Sequence, residues 1–510
     1  MKLPLRSTIA AIALAVIGCA TYSDRTEAAR DAMQRGDVAG GVKELNKFLK
    51  VRKSEELPNK WKKDFELVIL ERATMLQALG LYELSARDYE VADKQLELLD
   101  IARDGAGKLG KYIYSDSATK YKTSPTEKLS INAMNMCNYL ARGDLDGAKI
   151  EAKRFTVMRK YLSDYDPEHG HGAFGSYLAG FVYEQLGDAN EALRYYDEAL
   201  QDQELASLRG PIEKLAKVGS YRGDRIKDYL PPELQGPGFT APPKSDPPKS
   251  DPPATDPPAT DPPSEAPKSD APPVQRPSGA TPPTPQSMLG ALPSSPAWAA
   301  ADAPKAGELL VITKTGRVPF KVPRRIPIGA AIGLAGAYVT GDTTLLEYGM
   351  FKVVTYPELV PHRTIFEDVE MSLDGHELDA DLATELTGEL VREYDDIKPK
   401  IIGAAITRMI ARAAAAEAGR AAGQQAKEGG GIIGFLAAAA IEGTLVALDR
   451  PDTRSWTTLP ARIFVARATV PAGKHELVVK VHGPGGWQRR KMQVDVPASG
   501  FAVVDVTTLR

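Results

Sequence analysis

The sequence predicts a multidomain protein: an all-α helical repeat domain over residues 19–230, a disordered Pro-rich linker over 231–304, and an α+β domain over 305–510. A leader of residues 1–18 precedes them. Three observations carry this. A helix, Gly turn, helix pattern recurs with turn glycines at Gly36, Gly80, Gly143 and Gly187. Proline then dominates one long stretch. Finally, the tail alternates apolar and polar residues between Gly/Pro turns, which is the signature of antiparallel strands in a sandwich-like sheet.

The leader has Lys2 and Arg6, then an apolar run from Ile9 to Ile17 closed by small residues. That is a secretory signal. A membrane-spanning helix needs about 20 apolar residues, more than this run offers. Val16-Ile17-Gly18-Cys19 resembles the lipobox of bacterial lipoproteins. The resemblance implies cleavage before Cys19 and acyl chains, palmitate among them, on its sulfur and new amino group. Ala20 follows, where an Asp favours the inner membrane in enterobacterial lipoproteins. By that resemblance the protein is expected on the periplasmic face of the outer membrane. Each buried CH₂ adds about 0.8 kcal/mol, so several chains anchor stably. An ordinary secretory signal or an uncleaved anchor are the alternatives.

Charge is balanced, with 64 Lys+Arg against 67 Asp+Glu and a net charge of −3. Phosphate binding needs a basic excess, so nucleic acid is not an expected partner. There are two cysteines. With Cys19 lipidated, Cys137 has no partner within the chain, and stability must come from core burial.

In the helical region, three turn glycines are followed by Asp (Asp37, Asp144, Asp188). Gly suits a helix C-cap and Asp the next N-cap. Five residues after each glycine stands a small residue: Gly41, Ser85, Ala148 and Ala192. There the paired helices can approach closely. The segment from Ser176 to Leu200 resembles a tetratricopeptide repeat, with Gly180, Tyr183, Gly187, Ala192, Tyr196 and Ala199 on its small and aromatic positions. Ser176 stands where Trp is usual, and the closing Pro is missing. The third segment matches at Tyr139, Gly143, Ala148 and Phe155; the first two match weakly, and the spacing exceeds 34 residues. Stacked repeats leave a concave face that takes a peptide or partner helix. The mapping places Phe174, Tyr177, Phe181, Glu184 and Gln185 there, as partner-binding candidates for an envelope protein or peptide. The bland alternative is packing against a neighbouring repeat.

Ser124-Pro125-Thr126-Glu127 starts a helix with a capping box and Pro at its first position. Residues 100–124 before it read as an ordered loop. His169-Gly170-His171 offers two imidazoles, but a metal site needs three or four ligands. A solvated loop is expected, with no metal and no cofactor. In the linker, the five-residue units KSDPP, KSDPP, ATDPP and ATDPP cannot form a core and favour polyproline II. Sixty such residues extend up to about 190 Å. The linker is therefore expected to hold the C-terminal module away from the membrane.

In the last region, Glu308–Lys314, Phe351–Val360 and Thr364–Leu373 read as strands. Ile326–Val339 reads as a buried helix or hairpin, and Leu378–Tyr394 and Ile401–Lys427 as helices. Arg408, Arg412 and Arg420 lie near one helical face. Ile432–Leu448 forms another apolar helix, so a buried helical pair is expected, with a membrane-touching hairpin as the alternative. The tail is expected to be a four-stranded meander over Arg462–Val470, His475–Val481, Gln488–Val496 and Phe501–Thr507. It resembles half of an immunoglobulin-like or transthyretin-like sandwich.

The order of these parts resembles a family of bacterial repeat-bearing lipoproteins without assigned function. The suggestive strings are Ser124–Asn132, Tyr177–Gly180 and Asp452–Trp456. The resemblance brings no catalytic residues. Ser117-x-x-Lys120, Ser130-x-Asn132 and Lys314-Thr315-Gly316 also match three short motifs of penicillin-binding proteins. The first two motifs are too close in sequence, and the third lies across the linker. The expected function is a non-enzymatic, lipid-anchored scaffold or adaptor that binds its partner through the repeats. The alternatives are a peptidoglycan-acting enzyme that brings Ser117, Lys120, Ser130 and Lys314 into one cleft, and a structural protein whose groove is filled by its own chain.

Overall fold

A computed structural model of the chain describes residues 21–98, 121–165, 172–235, 306–339, 353–425 and 451–510. The leader with Cys19, residues 100–120 with Ser117 and Lys120, His169–His171, the Pro-rich stretch and the run Ile432–Leu448 lie outside them.

Eight helices form four consecutive pairs: α1 (Tyr22–Gln34) with α2 (Val38–Leu49), α3 (Phe65–Ala78) with α4 (Tyr82–Gln95), α5 (Pro125–Ala141) with α6 (Leu145–Tyr165), and α7 (Ala173–Gln185) with α8 (Ala189–Ala199). One turn geometry serves all four. Gly36, Gly80, Gly143 and Gly187 have φ of +83°, +73°, +71° and +79°. Each glycine N–H donates three residues back, and the next N–H donates five back. Only glycine takes that left-handed backbone freely. Asp37, Asp144 and Asp188 then cap the second helices, accepting from the backbone N–H of Gly40, Gly147 and Glu191 at 2.8, 2.8 and 3.1 Å. Leu81 takes that place in the second pair, with no side-chain cap. The small residues serve close approach. Gly41 lies on the Met75 sulfur, and Ser85 Oγ donates to the Ala73 carbonyl at 2.8 Å. At Ser124 the capping box forms, with Glu127 N donating to Ser124 Oγ at 3.3 Å and Ser124 N to Glu127 Oε2 at 2.9 Å. A short helix, α9 (Arg209–Ala216), follows the fourth pair.

The first strands, β1 (Glu97–Leu98) and β2 (Lys122–Thr123), form a two-residue parallel ladder. The remaining strands are β3 (Ala306–Thr315), β4 (Phe320–Pro327), β5 (Val353–Val360), β6 (Asp368–Leu373), β7 (His376–Leu378), β8 (Asp381–Glu385), β9 (Arg462–Pro471), β10 (Gly473–Gly483), β11 (Gly486–Val496) and β12 (Phe501–Thr508). They build a central sheet in the order β12-β3-β9-β8, an outer sheet in the order β11-β10-β6-β7, and the separate pair β4-β5.

The central sheet is buried on both faces. Leu309, Val311, Phe464, Ala466, Ala468 and Ala502 meet the outer sheet. Their neighbours Leu310, Ile312, Ile463, Val465, Phe501 and Val503 join the core of the helical array. The period-2 geometry of a strand produces this division. The result is three layers: helices, central sheet and outer sheet. A third core packs α10 (Ile328–Ala335) and β5 on the long helix α11 (Leu386–Gln425), through Ala331, Val354, Ile402 and Ile406.

Two expectations are corrected here. The tail is not one meander. β9 belongs to the central sheet, β10 and β11 belong to the outer one, and β12 joins β3 in parallel. β9 must bury both faces, whereas β10 buries only one. The helix expected from Leu378 begins at Leu386, because residues 381–385 extend the central sheet as β8 with a bulge at Leu382/Thr384. Edge pairing overrides local helical preference. The helix then runs through Pro399 without a break.

A Cβ on Gly180 would come within 2.4 Å of the Tyr196 ring, while Gly187 has open space around it. Gly180→Ala should therefore destabilise by about 1–3 kcal/mol through overpacking. Gly187→Ala should cost about 1 kcal/mol through its positive φ. Urea midpoints at unchanged slope check the order.

Candidate functional site

The face of the helical array that carries the five candidate residues is covered by the chain's own central sheet. Phe174, Tyr177 and Phe181 are buried, and Glu184 and Gln185 are 5 % and 9 % exposed. Phe181 meets Phe501 of β12 edge-on, with ring centroids 5.4 Å apart. Phe174 shares a small cavity wall with Leu386, Thr384 and Ile463. Tyr177 packs on Tyr196 at 6.1 Å. The open groove expected at these five residues is thus occupied from within. An apolar groove tethered to an apolar sheet face meets it at high effective concentration. The linker's expected role is corrected with it: the two parts pack directly, so the Pro-rich stretch does not set their separation.

Three polar clusters lock this interface. In the first, Arg467 of β9 pairs with Glu184 at 2.8 Å and with Glu308 of β3, and donates to Tyr196 Oη at 3.0 Å. Gln185 Nε2 donates to Glu308 Oε2 at 3.2 Å, and Tyr196 Oη donates to Glu184 at 2.7 Å. Burial works against the guanidinium's charge, but Glu184 and Tyr196 beside it hold the proton more firmly than usual. In the second, Lys314 of β3 reaches Asp505 of β12 at 2.5 Å and Gln77 of α3 at 2.6 Å. Gln77 Nε2 in turn donates to the Met134 carbonyl and to Asn138 Oδ1 of α5, both at 2.8 Å. Lys314 and Asp505 are wholly buried.

The third cluster is a plug, residues 453–459, that runs through the array into β9 with every side chain buried. Trp456 is its anchor. Its backbone N–H donates to Glu127 Oε1 at 3.0 Å, its indole Nε1 to Thr74 Oγ1 at 3.0 Å, and its ring packs on Tyr89 at 6.0 Å. Thr457 donates through N and Oγ1 to Glu71 at 3.0 and 2.9 Å. Arg454 pairs with Asp64 at 3.2 Å. Glu393 of α11 accepts from Thr126 N and Oγ1, both at 2.8 Å, at the start of α5. Two of the strings singled out in the sequence, Ser124–Asn132 and Asp452–Trp456, therefore meet.

Other candidates fall elsewhere. Ser130 and Asn132 are buried on α5, where Asn132 Nδ2 donates to Glu151 at 2.9 Å. Of the four groups the penicillin-binding alternative needs together, Ser117 and Lys120 lie outside the described residues, and Lys314 is committed to Asp505 and Gln77. Burial pushes the Cys137 thiol up to about 12, so it is inert as a nucleophile. Among the described residues no group of three His, Cys, Asp or Glu is placed to hold a metal, and no helix is long and apolar enough to cross a membrane.

Sequence reasoning missed Arg467, Glu308 and Asp505, and gave Lys314 only as part of a penicillin-binding-type motif. Each is a charge set among the apolar residues of a buried strand, and that pattern signals a buried partner. No family model and no curated protein matches the chain.

Arg467→Ala leaves Glu184 and Glu308 buried without a counter-charge, and should cost about 3–5 kcal/mol in chemical denaturation. Lys217→Ala, in an exposed pair with Glu213, should stay within about 1 kcal/mol. Two of the buried titratable groups pull the pH dependence in opposite directions. Burial pushes Glu393 up to about 7 from 4.5. Folding therefore takes up a proton between those values, and stability falls as pH rises through them, by at most about 1.4 kcal/mol per unit. His362 is held at about 2 by burial, so its contribution falls as pH drops below 6.5. Glu393→Gln removes only the first. Between pH 7.5 and 5 its unfolding midpoint should gain less, or fall more, than that of the unaltered protein.

Proposed function

We propose that this chain is a non-catalytic, lipid-anchored scaffold of the cell envelope, held through Cys19 on the periplasmic face of the outer membrane. Its tetratricopeptide-like repeats grip the chain's own C-terminal module. The observation that carries this reading is the occupied groove: Phe174, Phe181, Glu184 and Gln185 meet strand residues of the same chain, and Tyr177 is buried beside them. The buried charges on those strands are met by groups on the helices, Arg467 by Glu184, Lys314 by Gln77 and Glu308 by Gln185, as expected of a permanent interface rather than an exchangeable one. The lipobox-like Val16–Cys19 and the repeat signature of Ser176–Leu200 support location and repeat type.

The test is photocrosslinking in living cells with an azido-phenylalanine at position 181. A closed scaffold gives a product within the chain, joined near Phe501. A dominant adduct with a second envelope protein would overturn it and restore an open-groove adaptor. Cys19→Ser should in parallel release the protein from the outer-membrane fraction.

A further inference from the structure

The arm built from β4, β5, α10 and the middle of α11 ends in an apolar surface that the scaffold's internal contacts leave unused. From Ile326 to Gly341 no residue carries a charge. α10 and the single 3-10 turn after it, Gly336–Tyr338, pack on α11 through the buried Ala331 and Ala335. Gly329, Ala330, Gly333 and Ala337 stay exposed, and so do the large side chains of Leu334 and Tyr338, by 50 % and 40 %. A helix that is apolar all round belongs in apolar surroundings all round, and among the described residues only one side of α10 has them. A basic rim borders the patch. Arg324 and Arg325 are exposed just before α10, and Lys400 of α11 lies over the Tyr338 ring at 5.8 Å. The exposed Asp395 and Asp396 lie about 10 Å back along α11 from Ile402, toward the body.

The position of the chain's start points to the occupant. Gln34, at the end of α1, accepts from Arg317 at 2.7 Å and donates to the Arg363 carbonyl at 3.2 Å. One turn earlier, Arg30 lies over the Phe320 ring at 5.0 Å. Going back along α1 is therefore going forward along β4. The first turn of α1 accordingly lies by the plug, where Ser23 Oγ donates to Thr453 Oγ1 at 3.4 Å, and Ser455 of the plug shares a cleft wall with Lys321 and Leu359. From Arg30 back to Tyr22 is about 12 Å of helix. From Phe320 to Pro327 is about 23 Å of strand. Cys19 stands two residues before Thr21, at the end of the molecule toward which the arm points.

We propose that the tip of this arm lies in the interface of the same bilayer that holds the lipidated Cys19. Leu334 and Tyr338 enter the boundary between headgroups and acyl chains, and Arg324, Arg325 and Lys400 face lipid phosphates. This rests on the lipid-anchor reading and adds a second point of contact to it. α10 has eight residues, far short of the roughly 20 that cross a bilayer, so it lies in the interface. A tyrosine with its apolar ring and polar tip suits that depth. The contact orients an anchored body and does not replace the anchor, because so small a patch holds reversibly and more weakly than one acyl chain.

The experiment is flotation of the mature chain carrying Cys19→Ser, and hence no lipid, with vesicles of phosphatidylethanolamine and phosphatidylglycerol. Half-binding at about 1 mM lipid is expected. Leu334→Ser should weaken it about tenfold. Arg324→Ala together with Arg325→Ala should also weaken it about tenfold, and should leave binding to phosphatidylcholine vesicles unchanged. Trp487→Ser, 66 % exposed at the β10–β11 turn, should change neither. A polarity-sensitive dye on Leu334→Cys should shift to the blue when vesicles are added; Cys137 is buried and takes no label. Absence of flotation, or flotation indifferent to Leu334→Ser, overturns the proposal. So does a dye already shielded without vesicles and unmoved by them. Shielding independent of concentration then assigns the patch to the chain's own Ile432–Leu448, and shielding that grows with concentration assigns it to a second copy. Lipid anchoring is read separately, from the washed membrane fraction of cells carrying Cys19→Ser. Washing dilutes away a contact of millimolar strength, so the two readings fail separately.

Discussion

Arg467 stands between two carboxylates, Glu184 of the helical array and Glu308 of the central sheet, in an interface shut off from water. Without it, two like charges would face each other in a low-dielectric layer. The rest of the architecture follows from the same constraint. The central sheet buries both faces, so the charged groups on its helical side take partners from the helices or from the sheet itself. Arg467 and Lys314 find theirs on the helices, as does Thr457 of the plug, while Asp505 is met by Lys314 within the sheet. Such contacts add little net stability over an apolar core, but they specify register. A one-residue slip of β3 would turn Leu309 and Val311 toward the helices and leave Lys314 without Gln77.

The plug applies the same logic to the middle of the array. Trp456 fills the space between α3, α4 and α5, and its backbone N–H is taken by Glu127, which also completes the capping box of α5. The start of α5 is thus held three times: by its own Ser124, by the plug and by Glu393 of α11. A helix N-terminus favours acidic neighbours, and both Glu127 and Glu393 supply them. The Pro-rich stretch acquires a different meaning in this arrangement. It joins two packed parts of one body, and its contribution is to keep them at high effective concentration for one another.

Much of this was legible locally. The four turn glycines, the Asp caps and the capping box at Ser124 rest on backbone rules that act within five or six residues, and each forms as its residues require. The strand segments of the tail were legible for the same reason, since alternation is a property of single strands. Sheet membership was not. The runs of β9 and β10 differ mainly in how continuous their apolar character is, and only a second buried face explains that difference. Residues 381–385 illustrate the limit: their composition suits a helix, yet the free edge of β9 recruits them as a strand.

Local rules alone set where the paired helices of the array turn and cap, which residues are small at the helix crossings, and that Phe174, Tyr177, Phe181, Glu184 and Gln185 share one face of the array. What covers that face was decided only in three dimensions. Its occupant lies more than a hundred residues away along the chain, and the matching of Glu184 with Arg467, or Gln77 with Lys314, has no local signature. Short-range rules fix the surfaces. The pairing of two apolar surfaces, and of the charges embedded in them, depends on burial that only the folded chain creates.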